Sequence, residues 1–182
     1  MSDRIVAIHE VSHAVTGVCL GRLGLLKKVS IIASEHMKGG FHWDISSGKC
    51  PPDERDQELG ICLAGPIGQV LYAPESFGTY ITAFRETIFQ PDSVLEKAGC
   101  AGWAATDLNQ FISFRRHRYP LHLFTEIEAP LRSLLQRPSV CSAIAELASQ
   151  LEVCGELEGL RAEHIISECL LPSDYVGKDY FS

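Results

Sequence analysis

The chain reads as a single, mainly α-helical domain with a small β-sheet. Three features carry that reading. Apolar residues recur at helical spacing in several segments. Two short β-branched or alternating stretches lie together after the first of them. Gly and Pro punctuate the remainder into pieces of helix length. The composition suits one domain with an adequate core, since 46% of the 182 residues are hydrophobic and 21% are charged.

Taken in order, Ser2 or Asp3 can cap a helix from residue 4 to about 20, where Gly21 and Gly24 end it. Residues 27–33 are β-branched and short, and read as a strand. Gly39-Gly40 marks a turn, and the alternation of residues 41–45 reads as a second strand. Together these predict a hairpin-like sheet packed on the first helix, followed by a loop over 46–52. Asp53 can cap a helix over 54–72 that buries Leu59, Cys62, Leu63, Ile67, Val70 and Leu71. Pro66 removes one backbone donor inside it and is expected to kink or split it. Residues 73–90 carry no decisive pattern. Pro91-Asp92-Ser93 starts a helix extending past Asp107 to His117, with Arg115, Arg116 and Arg118 where positive charge suits the helix dipole. Helices are then expected over 121–135 (with Pro130 as a kink), 139–152 and 157–171. Residues 172–182 read as a loosely docked tail.

A net charge of −7 argues against nucleic acid as the main partner. There is no long basic tract for anionic lipid, and no apolar run reaches the roughly 20 residues that span a bilayer. His9, Glu10 and His13 stand where the apolar core of a signal peptide would lie, so no such peptide is expected. The seven cysteines are odd in number and form no C-x-x-C pair. They read as mostly buried thiols of a reducing, cytoplasmic protein.

The chemistry concentrates in His9-Glu10-Val11-Ser12-His13, an H-E-x-x-H segment. Two histidines four apart on a helix project from one face, one turn above each other. Their imidazoles can share one Zn²⁺, which takes nitrogen ligands and prefers four-coordination. Glu10 is placed to accept a proton from the attacking water. A third ligand is missing. The metzincin arrangement fails, because Thr16 and Cys19 stand where a glycine and a histidine would be needed. By residue type, Glu126, Glu128, Glu163 and Asp107 are candidates. The three glutamates also read as ordinary surface acids. Asp107 follows Gly102-Trp103-Ala104-Ala105-Thr106, and the small residues just before it let one helix approach another.

These pieces resemble the protease domain of the FtsH family of ATP-dependent zinc metalloproteases, in the family's order. The first helix is similar to its H-E-A-G-H-A helix. Lys28-Val29-Ser30-Ile31-Ile32 resembles the following strand, and Gly39-Gly40-Phe41 the start of the next. Leu63-Ala64-Gly65 resembles the L-A-G-R-A-A-E helix, and Thr106-Asp107-Leu108 the segment that holds the family's aspartate ligand. The resemblance implies an H-E-x-x-H helix packed on a short sheet, with a C-terminal helical bundle. Residues 1–118 would form the catalytic part, 119–172 the C-terminal helices and 173–182 the tail. It implies Zn²⁺ held by His9, His13 and Asp107, Glu10 as general base, and endopeptidase action on peptides or unfolded segments. Ser12, Pro66 and Gln69 depart from the family's Gly, Arg and Glu. Residues 73–100 do not align, and no G-x-x-x-x-G-K-[ST] motif is present. Action would then be limited to peptides, unfolded segments or substrates delivered by a separate partner; an oligomer is not assignable. The alternatives are a zinc-binding regulatory module without turnover, or a hydrolase of small amides. His42, on the second strand, reads mainly as part of an amphipathic strand. That strand either offers an edge for an extended peptide or only covers the first helix.

Overall fold

A computed structural model describes residues 3–32, 40–43, 55–73, 122–177 and 179–181. Its helices are α1 (Asp3–Cys19), α2 (Arg55–Tyr72), α3 (His122–Leu135), α4 (Pro138–Cys154) and α5 (Gly159–Cys169). Its strands are β1 (Leu26–Ser30), β2 (Gly40–Trp43) and β3 (Glu156–Glu158). Among the described residues the protein is thus mainly helical with one small sheet, as expected.

Helix α1 is the centre of the fold. Every residue from Ile5 to Cys19 is buried, because α2, α4 and the sheet all pack against it. Asp3 in its first turn suits the positive end of the helix dipole. The exit is made by Gly21 and Gly24, whose φ values of 97° and 87° lie in the region that glycine adopts without steric cost. Their role as terminators is visible in the sequence.

The sheet has the order β2-β1-β3. Both pairings are antiparallel. Val29 of β1 faces Phe41 on one side and Leu157 on the other, with an irregularity between Leu26 and Lys28. Strand β3 departs from the sequence pattern, which reads as helix from residue 157. Gly155 closes α4 in a left-handed turn (φ 75°), donating its N–H to the Leu151 carbonyl. The chain emerging from it pairs with β1 before α5 begins. The Lys28–Glu156 ion pair at 2.9 Å decorates this pairing, but partly exposed pairs of this kind contribute little. Burial of Leu157 and Val29 contributes more. Gly159 opens α5 so close to β1 that a side chain there would strike the Leu26 carbonyl.

Helix α2 runs unbroken through Pro66, so the expected split does not occur. The local cost is real. Gly60, Gly65 and Gly68 at about 1 kcal/mol each and Pro66 at about 3 kcal/mol penalise this helix by about 6 kcal/mol relative to alanine. Packing outweighs it. Leu59, Ile61, Leu63 and Ile67 are all buried, each worth roughly 1.5–3 kcal/mol. Val70 and Leu71, expected in the buried face, are only half-buried, whereas Ile61 and Ala64 join it. In α4, Val140, Ile144, Leu147 and Leu151 form the buried face, as their spacing predicts, and Pro138 takes the first helical position, where its missing N–H costs nothing.

Residues 172–177 and 179–181 are not a loose tail. The Val176 and Gly177 N–H groups donate to the Cys19 carbonyl at the end of α1, at 2.9 and 3.2 Å. Asp174, 2% exposed, accepts from the Ser139 hydroxyl, the Leu171 N–H and Arg137. Burial alone would push its carboxyl up, but these donors together hold it below the usual carboxylate range. Tyr180 donates to the Pro130 carbonyl at 3.2 Å. The cause lies outside the tail's own composition: its polar groups find partners on α1, α3 and α4.

Among the described residues no helix is long and apolar enough to cross a membrane. Cys19, Cys62, Cys141, Cys154 and Cys169 form no disulfide. Cys154 is exposed, against the reading of mostly buried thiols, while Cys19 and Cys62 fit it.

Candidate metal centre on the first helix

An all-round buried helix is ordinarily apolar. Helix α1 instead carries His9, Glu10, Ser12, His13 and Thr16 inside. Polar groups held out of water are costly unless they are given partners or a task. His9 is 2% exposed, His13 1% and Glu10 8%.

The four-residue spacing brings the two imidazoles together, as the sequence predicts. Their centroids are 4.8 Å apart and their planes are nearly perpendicular, at 78°. The two Nε2 atoms face one another at 3.1 Å. Nitrogens bound at about 2.0–2.1 Å to one tetrahedral Zn²⁺ would stand roughly 3.3–3.4 Å apart. The pair therefore fits two positions of such an ion with an opening of a few tenths of an ångström.

The structure also names a partner that the sequence could not. His13 Nδ1 lies 2.6 Å from the Ile61 carbonyl oxygen on α2. A carbonyl only accepts, so Nδ1 carries the proton and Nε2 of the neutral ring keeps its lone pair. This is the arrangement in which a ligand histidine is oriented through its other nitrogen.

Room for the pair comes from Gly65. A Cβ built there would lie 2.6 Å from His13 Cε1 and 2.7 Å from His9 Nε2, and closer still to His13 Nε2. One turn on, Gly68 meets Ser12 in the same way, and the Ser12 hydroxyl turns back to the Ile8 carbonyl at 2.7 Å. Two small residues three apart on α2 thus seat that helix on the histidine face of α1. The Gly65-x-x-Gly68 spacing was the available sequence signal for this approach.

Glu10 lies between the two histidines in sequence, about 100° around the helix from His9. Asp107 lies outside the described residues, as do the arginine cluster and residues 74–121. Among the described residues no group of three or more His, Cys, Asp or Glu side chains could hold a metal ion. Two of the other acids considered as ligands have different roles. Glu163 is not a surface acid. It is 5% exposed, and its Oε1 accepts the N–H groups of Gly24 and Leu26 at 2.8 and 2.9 Å, anchoring the loop before β1. Glu128, also buried, pairs with Arg132 one turn away at 2.9 Å. His164 is a surface residue beside Glu168. For Glu126 and for β2, including His42, only the backbone is described.

No model of a known protein family matches the chain, and no curated protein matches it.

Proposed function

We propose that this protein is a zinc-dependent endopeptidase acting on peptides or unfolded protein segments, with its site on α1. The observation that carries the reading is the facing pair of Nε2 atoms, 3.1 Å apart and buried, with His13 held through Nδ1 by the Ile61 carbonyl. His9 and His13 would hold the ion through Nε2. Asp107, by its place in the segment that resembles the family's aspartate ligand, would complete the set.

Bound Zn²⁺ would supply Lewis acidity, lowering the pKa of water towards about 7 and stabilising charge on the scissile carbonyl. The residues of the chain do the rest. Glu10 accepts the proton of the attacking water and passes it to the departing amine, so that one water and one amide become a carboxylate and an amine. Burial around α1 keeps bulk water from screening that transfer. A cytoplasmic setting and a separate delivery partner belong to the same proposal.

The test combines metal analysis with cleavage of casein as an unfolded substrate. Wild type is expected to hold zinc stoichiometrically and to cleave. Glu10→Gln should keep the zinc and lose about 10²–10⁴-fold in rate, the usual contribution of a positioned base. Asp107→Ala should lose the zinc. Stoichiometric zinc with no wild-type cleavage would replace the enzyme reading with a zinc-binding regulatory module, and a wild type that binds no zinc would remove both.

A further inference from the structure

The turn of α2 that serves the histidine pair is poorly equipped to hold itself. Gly60 and Gly65 weaken helix, and Pro66 has no N–H to offer the Cys62 carbonyl. Yet this turn carries the Ile61 carbonyl that sets His13. Something beyond local propensity must keep it in place.

The segment from Pro172 to Phe181 does so at one point. The Phe181 ring lies directly on Gly60, the residue before Ile61. A Cβ on Gly60 would come within 2.7 Å of Phe181 Cζ and closer to Cε2. The ring packs edge-on against Tyr180, with centroids 5.2 Å apart, and Tyr180 is tied to the Pro130 carbonyl. Further back, Val176 and Gly177 are tied to the end of α1, and Asp174 to α4. The segment is thus fixed to α1, α3 and α4 and bears on α2 beside its weakest turn.

We propose that this segment is a strap that positions the histidine pair: Phe181, seated on Gly60, keeps the α2 turn where the Ile61 carbonyl fixes the tautomer and ring plane of His13. Its consequence for zinc rests on the metal-centre reading above, while its geometry does not. Phe181 is a positioning residue, acting through Gly60, Ile61 and His13 in turn.

Phe181→Ala and Gly60→Ala attack the contact from its two sides. Gly60→Ala improves helix propensity, so loss of helix cannot account for its effect. Two readouts are needed: the His13 tautomer and its protected Nδ1–H by NMR in metal-free protein, and zinc affinity by chelator competition. Wild type is expected to show a protected Nδ1–H. Both variants should lose that protection, and zinc affinity should fall about tenfold, at the lower end for losses behind a ligand. The double variant should be no worse than either single one. Glu163→Ala, destabilised at a site away from α2, should keep both signals. Retention in both single variants of the protected Nδ1–H, with zinc affinity within about twofold of wild type, would overturn the strap. So would a wild-type His13 protonated on Nε2 instead. A wild type that binds no zinc would defeat the proposed function and leave the strap to be decided by the NMR readout alone.

Discussion

Replacing Gly65 with alanine sets helix propensity against site geometry. Alanine in a helix interior is about 1 kcal/mol better than glycine, so an exposed helix would gain. Here the new Cβ would fall 2.7 Å from His9 Nε2, 2.6 Å from His13 Cε1 and nearer still to His13 Nε2, against ordinary contact of 3.4–4 Å. Both rings must move, and His13 is tied at Nδ1 to Ile61. Overpacking of this kind costs about 1–3 kcal/mol. The two effects oppose one another, so metal-free Gly65→Ala should lie within about 2 kcal/mol of wild type in urea unfolding. Zinc binding has no such compensation. The ion requires both Nε2 atoms roughly 3.3–3.4 Å apart and aimed at one point, and a methyl group wedged between them turns at least one away. Affinity should fall at least about a hundredfold, or roughly 2.7 kcal/mol, when measured by chelator competition. A Gly65→Ala protein that binds zinc within about threefold of wild type would refute the reasoning, because the two imidazoles would then not hold the ion in the place α2 leaves open.

Other consequences are independent of any metal. Glu163→Ala leaves the Gly24 and Leu26 N–H groups without their acceptor and should cost about 2–4 kcal/mol in urea unfolding; Glu163→Gln keeps an acceptor oxygen and should recover more than half. A change below about 0.5 kcal/mol in the alanine variant would return Glu163 to a surface role. Asp174 makes the docking of residues 172–181 acid-sensitive. Its folded pKa lies below the ordinary aspartate value of 3.8, so its contribution is fully present above that value and is lost as the pH falls through the lower folded one. Asp174→Asn should therefore flatten that part of the stability–pH curve and cost about 2 kcal/mol near neutral pH; an unchanged acid slope would count against the assignment. Burial, and then the charge of Asp174, push the Cys19 thiol up to about 12. Maleimide labelling of the native protein near neutral pH, read by mass spectrometry, should modify exposed Cys154 and spare Cys19 until unfolding. Early labelling of Cys19 would contradict the docked segment above it.

Short-range patterns carried much of this architecture. Gly21 and Gly24 end α1 through backbone angles that glycine adopts freely, and Val140, Ile144, Leu147 and Leu151 recur at the helical period. Of the strands between α1 and α2, the first declared itself by β-branched residues and the second by alternation. What failed were inferences from local character alone. Pro66 was expected to kink or split α2; no split occurs, because burial of its neighbours against α1 exceeds the local penalty. Glu163 looked like a surface acid because charge is usually exposed, yet two backbone donors 137 and 139 residues away in sequence hold it inside. Residues 157 and 158 read as the start of a helix, and pairing with β1 made them part of a strand.

The candidate site divides in the same way. A spacing of four residues on a helix places His9 and His13 on one face whatever surrounds them, and Glu10 comes with them; helical geometry is local, so one chain of letters suffices to find all three. Which nitrogen of His13 keeps its lone pair depends on the Ile61 carbonyl, 48 residues away in sequence. The space for both rings depends on Gly65, and the steadiness of that turn on Phe181. Gly65 leaves a trace only in its spacing from Gly68, and the Ile61 and Phe181 contacts leave none, because each is a single contact between elements brought together by burial of a shared core. Helical spacing brought the two histidines to one face; tertiary packing gave the pair its room at Gly65 and gave His13 its tautomer.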